Sequence, residues 1–374
     1  KKVVVGLSGG VDSSVSLVLL KKQGYQPIGV SFKYPVWKNR KNQLKENVCC
    51  SEKSFAIARE VCRRLGVEHH IVDDTIDFKD KVMGYFLKTL KEKKTPNPCL
   101  ICNRLVKFRS LVNFAKEKNA QYITTGHYAR VEKNKKSGLY ELLRAKDKKK
   151  DQSYFLALLG QKELSKTIFP LGEYTKEKVY QIAKKEGLYF FEKTRQSQDL
   201  CFVSGKSIPF YLEEKLGFEP GKIVDTKGNI LGEHQGLYFY TIGQRKGINL
   251  SGLPAGKAGG PWYVIGFDKK KNWLIISREE KDLFQKEVIL ENFSFTSGQE
   301  PKKAIKVMAK TRYNQELSPA KLNVRHPMSN TLRLVFEQKQ KAITPGQWAV
   351  FYLPAEFSAK VGGREICLGG GAIK

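Results

Sequence analysis

The chain has 374 residues, 41% hydrophobic and 28% charged. That is enough for two or three domains with cores of their own, and too apolar for a disordered chain. No apolar run is long enough to span a bilayer and no leader pattern precedes the first strand, so a membrane protein is excluded and a cytoplasmic one expected. The formal net charge of +30, with a pI near 9.7, creates a field that attracts polyanions, although lysine enrichment across a proteome produces the same figure.

Residues 3 to 14 read Val-Val-Val-Gly-Leu-Ser-Gly-Gly-Val-Asp-Ser-Ser. The unalternated β-branched run predicts a parallel strand covered on both faces. Gly9 and Gly10 permit a turn whose amides converge, Ser8, Ser13 and Ser14 add hydroxyls, and a helix predicted from Ser13 to Lys22 brings its positive end to the same spot. An oxyanion is the natural guest. Neither Gly-x-x-x-x-Gly-Lys-Ser/Thr nor Gly-x-Gly-x-x-Gly is present, and Asp12 occupies the region where the first of these would carry its lysine.

The alternation of strands and helices continues. Pro27 to Phe32 predicts a strand, Ser51 to Leu65 a helix with Phe55, Ala58, Val61, Cys62 and Leu65 on one face, and His69 to Val72 a strand. Helices are predicted over Phe78 to Lys91 and Val106 to Lys118, then a strand over Tyr122 to Thr125 ending at Gly126-His127. Such a pattern implies an α/β fold, a doubly wound parallel sheet whose ligands sit beyond the carboxyl ends of its strands. Lysines crowd at Lys133 to Lys136 and Lys146 to Lys150, a density suited to phosphate contact. After residue 205, glycine and proline punctuate short aromatic runs, among them Pro220 to Asp225, Gly228 to Gly232, Leu237 to Ile242 and Trp262 to Ile265. A small strand-rich central domain is expected there. From Lys286 onward strands recur, including Ala304 to Ala309, Thr331 to Glu337 and Trp348 to Tyr352, and predict a closed or nearly closed β-barrel. The expected divisions are 1–204, 205–285 and 286–374.

Seven cysteines in a chain expected in a reducing compartment argue for reactive or metal-bound thiols over a disulfide framework. Cys99 and Cys102 sit in Thr95-Pro96-Asn97-Pro98-Cys99-Leu100-Ile101-Cys102-Asn103, read as a loop stiffened by its prolines. The Cys-x-x-Cys spacing is compatible with zinc, thiol exchange or an iron–sulfur cluster. No second pair completes a zinc site, and the five histidines form no ligand-spaced motif. Cys49, Cys50, Cys62 and Cys367 are read as small buried hydrophobes.

The Ser8-Gly9-Gly10-Val11-Asp12-Ser13 loop resembles the pyrophosphate loop (PP-loop) of the ATP pyrophosphatases. Together with Thr95-Pro96-Asn97-Pro98, Cys102-Asn103, Thr125-Gly126-His127-Tyr128, Asp151-Gln152-Ser153-Tyr154-Phe155, Cys201-Phe202, Gly232 to Gly236, Gly243 to Gly247, Arg312-Tyr313 and Pro345-Gly346-Gln347, it makes almost the whole chain similar to the tRNA-specific 2-thiouridylases. This resemblance implies an adenine nucleotide α-hydrolase-like first domain and ATP-dependent thiolation of a wobble uridine in tRNA. ATP, with Mg2+, would be held by Gly6, Leu7, Ser8, Gly9, Gly10, Val11, Asp12, Ser13, Phe32 and Gly126. Asn97, Pro98 and Cys99 would line the pocket for the flipped base, and His127, Lys150, Asp151, Gln152, Arg312, Tyr313 and Gln347 would touch the RNA.

The family mechanism adenylates the C2 oxygen. A persulfide on Cys201 then delivers sulfur, and Cys102 resolves it through a disulfide. Cys99 stands where many members carry an aspartate, and a thiol that titrates near pH ~8.5 is no simple replacement for a carboxylate. It also creates a triplet, Cys99, Cys102 and Cys201, of the kind with which related sulfurtransferases hold an iron–sulfur cluster, so a catalytic and a metal-binding reading of these cysteines stand side by side. The expected partners are a tRNA and a sulfur-donor protein or sulfide, with the enzyme as a monomer. A PP-loop ligase of small molecules would leave the basic excess unexplained, and a non-catalytic RNA-binding protein would leave the nucleotide loop unexplained.

Overall fold

In the computed structural model, residues 1–42, 51–188, 200–248, 250, 261–324, 330–354, 356–357 and 363–374 are described. Cys49, Cys50 and the Gln198-Asp199 step of the cysteine motif lie outside them. The first sheet contains strands β1 (Lys2–Gly6), β2 (Gln26–Lys33), β3 (His69–Asp73) and β4 (Tyr122–Thr124). A hairpin of β5 (Ala129–Lys133) and β6 (Tyr140–Arg144) follows, and β7 (Thr167–Ile168) returns to that sheet. Its order is β3-β2-β1-β4-β7, all parallel. Val3, Val4 and Val5 are fully buried because both faces are covered. Val3 and Val5 pack with helices α1 (Val11–Lys22) and α2 (Glu52–Arg64), while Val4 packs with the helix Phe108–Glu117 on the other face. The strand order switches sides at β1, running to β2 and β3 one way and to β4 and β7 the other, which opens a crevice at the carboxyl ends of β1 and β4.

The central sheet is β10-β11-β8-β9, formed by β8 (Gly221–Val224), β9 (Ile230–His234), β10 (Tyr263–Asp268) and β11 (Trp273–Ser277). Leu237 to Ile242, expected as a strand, instead begins with a 3-10 turn at Leu237–Phe239. Its side chains do not alternate between two faces: Leu237 and Tyr238 are both buried, and the Tyr238 hydroxyl donates to Gly217 O at 2.7 Å.

The barrel uses β12 (Phe284–Phe295), β13 (Ile305–Lys310), β14 (Ser318–Leu322), β15 (Leu332–Lys341), β16 (Trp348–Tyr352) and β17 (Ile366–Ile373). Pairing of β12 with both β15 and β17 closes it at six strands, which removes the sheet edges. The hairpin β5–β6 adds itself to this barrel, Leu142 facing Cys367 and Leu143 facing Ile366. Residues 129–144 therefore join the first module to the third. Another departure from the sequence reading concerns Pro98–Cys102, which is helical with Pro98 at its first turn; the missing amide is one that a helix start leaves unpaired anyway.

Candidate active site

The crevice is built at the end of β1. Gly10 caps α1 and Gly9 takes a left-handed φ of 70°. A Cβ at Gly9 would stand 2.5 Å from Ser54 O, so only glycine lets the loop lie against the start of α2. Ser13 Oγ accepts from Ser8 N at 3.2 Å and approaches Ser8 Oγ at 3.3 Å, while Ser13 and Ser14 hydroxyls donate to Gly10 O at 3.1 and 3.0 Å. The loop is thereby held by its own hydroxyls around the positive end of a twelve-residue helix. From the other side comes Gly126, where a Cβ would lie 2.6 Å from Ser13 N.

Between them lies a cavity of about 220 Å³ lined by Gly6, Leu7, Ser8, Asp12, Ser13, Phe32, Tyr34, Lys107, Thr125, Gly126, His127 and Gln152. Seven of these, Gly6, Leu7, Ser8, Asp12, Ser13, Phe32 and Gly126, are residues the sequence assigned to ATP. Asp12 is held by two groups: Tyr128 donates to its Oδ1 at 2.8 Å, and Lys176 Nζ lies 2.5 Å from the same oxygen. Lys176 is 6% exposed and lies over the Tyr180 ring at 4.9 Å. Burial pulls its ammonium pKa down and the Asp12 carboxylate opposes that pull. Burial next to Asp12 pushes the Tyr128 phenol up, so it stays a hydrogen-bond donor. His127 sits between Phe108 and Phe169 with Nδ1 2.7 Å from Thr125 Oγ1. Desolvation, aided by the Lys107 charge, lowers it to about 3, so the imidazole is neutral at physiological pH.

The cysteine-bearing helix Pro98–Cys102 runs on into the turn Asn103–Lys107, whose Lys107 lines this crevice. Cys99 is exposed, Cys102 is 8% exposed and Cys201 is half-buried. Cys102 belongs to the large apolar core of this module and Cys201 lies against it, and the neighbouring Phe202 is fully buried with its ring 6.0 Å from Phe78 and 5.5 Å from Phe86. Trp37 N donates to Phe202 O at 2.9 Å, which fixes the backbone beside Cys201. Among the described residues no group of three or more His, Cys, Asp or Glu side chains is gathered as metal ligands. Burial pushes the Cys62 thiol up to about 12 and raises Cys367 further, as inert core thiols require.

The residues assigned to RNA fall in several environments. Asp151 is 2% exposed and accepts from Arg144 Nε at 2.8 Å, Ala145 N at 3.1 Å and Ser153 Oγ at 3.0 Å, so it ties the hairpin to the first module. Gln152 and His127 line the cavity described above, and Gln152 Oε1 accepts from Tyr128 N at 3.0 Å. Lys150 is half-buried in the turn after β6, where its amide donates to Asp147. Arg312 donates to Ile242 O, Ala342 O and Thr344 Oγ1 at 3.1, 2.8 and 2.6 Å. Tyr313 stacks on Phe155 at 4.5 Å. Gln347 donates to Thr95 O and Pro96 O, both at 3.2 Å. Sequence reasoning missed Lys176, Lys107 and Tyr34; Lys176 is 164 residues from Asp12, with no local motif to connect them.

Comparison with known proteins fits this geometry. The family model described as tRNA methyl transferase HUP domain matches residues 1–205, the corresponding PRC-barrel domain 210–278, and an aminomethyltransferase beta-barrel domain 285–373. The tRNA-specific 2-thiouridylase MnmA of Halothermothrix orenii is 42% identical over 378 residues, covering 100% of this chain and 99% of the relative. That of Clostridioides difficile is 39% identical over 376 residues, covering 100% and 98%. Among solved structures, the U34-tRNA thiolase NcsA of Methanococcus maripaludis, solved with its iron–sulfur cluster, is 22% identical with a TM-score of 0.33. It covers 57% of this chain and 67% of its own, too loose an overlap to inform the site.

Proposed function

Because this chain belongs to the tRNA-specific 2-thiouridylase family, whose members match it end to end, we propose that it thiolates C2 of a wobble uridine in tRNA at the expense of ATP. The observation that carries the reading is the crevice at β1 and β4, a serine-rich helix terminus facing a small cavity, with Lys107, on the continuation of the Cys102 helix, in its lining. A C2 carbonyl has no leaving group. Its oxygen attacks the α-phosphorus of ATP, the bond to the β-phosphate breaks, and pyrophosphate leaves toward the amides and hydroxyls of Ser8 to Ser14. Asp12, already bound to Lys176 and Tyr128, is the carboxylate available to a nucleotide-borne Mg2+, which would neutralise phosphate charge.

Sulfur transfer follows from Cys201. The terminal sulfur of its persulfide attacks C2, the C2–O bond breaks, and AMP leaves. The Cys102 thiolate then attacks Sγ of Cys201, so that the S–S bond breaks, the transferred sulfur stays on C2, and a Cys102–Cys201 disulfide forms. An external thiol reductant returns both cysteines to the reduced state. For the alternative, an iron–sulfur cluster on Cys99, Cys102 and Cys201, Cys99 is exposed, and among the described residues no group of three or more such side chains is gathered as ligands. Cys99 is the open wall of the base pocket, with Asn97 and Pro98.

Residues 1–204 activate the base, while 205–285 and 286–374 grip and orient the RNA, drawing on the +30 charge. The test is genetic. A strain lacking the gene should lose wobble 2-thiouridine, regain it with the wild-type chain, and not regain it with Cys102→Ala or Cys201→Ala.

A further inference from the structure

The segment Thr95-Pro96-Asn97-Pro98 cannot hold itself. Two of its four residues are prolines without amide hydrogens, so neither a strand ladder nor a local turn supplies enough donors to fix it, and its carbonyls need donors from elsewhere. Those donors come from the barrel. The turn Pro345-Gly346-Gln347 is secured within the barrel by backbone bonds alone, Gly346 N to Ile373 O and Ile373 N to Gln347 O, both at 2.8 Å. The rest of the turn faces residues 94–96. Pro345 O accepts from Thr95 N at 2.8 Å, and the single Gln347 carboxamide nitrogen donates to both Thr95 O and Pro96 O.

Gly346 makes this approach feasible. Its φ is +87°, and a Cβ there would lie 2.8 Å from Thr95 O and 2.9 Å from Lys94 Cβ. Two neighbouring contacts complete the junction, Lys94 Nζ to Glu291 Oε1 at 2.7 Å and Thr95 Oγ1 to Thr241 Oγ1 at 3.2 Å, so parts of all three modules meet at residue 95. Arg312 braces the same corner. Its Nη2 reaches Thr344 Oγ1, and Thr344 O accepts from Gln347 N at 3.2 Å.

We propose that Gln347 is a positioning residue for the base pocket: through its two carbonyl contacts it fixes Thr95 and Pro96, so that Asn97 to Cys99 form a preset wall and the Pro98–Cys102 helix aims Cys102. The inference rests on reading Asn97 to Cys99 as the target-base pocket. A preset wall contributes to rate at saturating RNA, because misplacing reacting groups by about 1 Å costs on the order of 100-fold. A side chain that gripped RNA directly would contribute to affinity and its salt dependence instead.

Gln347→Met, close in shape and without donors, separates these roles. Three measurements are made on the full chain: tRNA affinity by filter binding at two salt concentrations, single-turnover thiolation at saturating tRNA, and RNA-free alkylation of Cys102 followed by peptide mass mapping. The expected result is tRNA affinity within about twofold of wild type with the same salt slope, a thiolation rate down about tenfold, and Cys102 alkylated at least about fivefold faster because its helix is loosened. Affinity weakened about tenfold, with saturating rate and alkylation unchanged, would overturn the proposal in favour of RNA contact. Should the Met variant not fold, Gln347→Asn, whose shorter carboxamide cannot span both carbonyls, gives the same three readouts. A wild-type chain that fails to thiolate tRNA refutes the reading of the reaction, and the RNA-free alkylation comparison still decides the role of Gln347.

Discussion

Gly126→Ala is the sharpest perturbation of the nucleotide crevice. The added Cβ would stand 2.6 Å from Ser13 N, 2.9 Å from the Asp12 carbonyl carbon and 3.0 Å from Asp12 Cβ. Two of these atoms are backbone at the first turn of α1, and they cannot rotate away. Restoring ordinary contact near 3.4 Å requires the end of β4 and the start of α1 to separate by about 0.8 Å, a typical overpacking strain of about 1–3 kcal/mol. The separation falls between the two walls that hold the nucleotide, so tRNA-dependent release of AMP should fall by 10-fold or more, about the penalty for a sub-ångström to 1 Å misplacement. The comparison variant is Gly84→Ala, where the new Cβ meets only Lys79 O at 3.6 Å within a helix; it should be neutral or stabilising by up to about 1 kcal/mol. Wild-type AMP release and stability in Gly126→Ala would refute the close approach of β4 to the loop.

Three further outcomes follow from the same site. Lys176→Met leaves the Asp12 carboxylate facing the triphosphate without its cation; binding of a fluorescent ATP analogue in the absence of Mg2+ should weaken at least about tenfold, and Asp12→Asn in the same chain, under the same Mg2+-free conditions, should recover part of the loss. His127, held neutral down to about pH 3 while the unfolded form titrates near ~6.5, makes the unfolded chain the stronger proton binder between those values. Folding stability from His127 is therefore full above pH ~6.5 and lost as pH falls toward 3, with a slope of about 1.4 kcal/mol per pH unit. Denaturant melts of wild type and His127→Gln should show the variant keeping about 2 kcal/mol more of its stability between pH 6 and pH 4.5, and parallel curves would contradict the burial argument. Cys201→Ala and Cys102→Ala should both abolish 2-thiouridine formation yet continue to release pyrophosphate on adding tRNA, because adenylation precedes their chemistry, while AMP release should be lost in Cys201→Ala; loss of pyrophosphate release in both would place the cysteines in the first step.

Local signals were legible in the sequence. The β1 strand, the Gly9-Gly10 turn and α1 lie within twenty-two residues, and hydrogen bonds among near neighbours build the loop. Trp348–Tyr352 was also plain, as a compact run of aromatic and β-branched residues. Long-range features were not. The hairpin β5–β6 looks like a lysine-rich connection, and only Ile366 and Cys367, at the far end of the chain, give it a sheet to join. Lys176 reads as an ordinary surface lysine at a helix start until Asp12 is placed against it. Prolines misled at Pro98, because the same missing amide marks a stiff loop and a helix's first turn. At Leu237 to Ile242, aromatic propensity suggested a strand where tertiary packing selected a turn. The carried-over RNA contacts include Asp151, Arg312 and Gln347, whose side chains make intramolecular bonds that a motif alone does not reveal.

In the reaction proposed for this chain, ATP is cleaved to AMP in order to place sulfur on an RNA base. The most direct measurement is a single reaction containing the purified chain, an unmodified tRNA with a wobble uridine, ATP and a persulfide donor, with AMP, pyrophosphate and nucleoside 2-thiouridine quantified together by mass spectrometry. One AMP and one pyrophosphate are expected for each 2-thiouridine formed, at the wobble position only. ADP in place of AMP, or AMP released with no sulfur appearing on the tRNA, would contradict it.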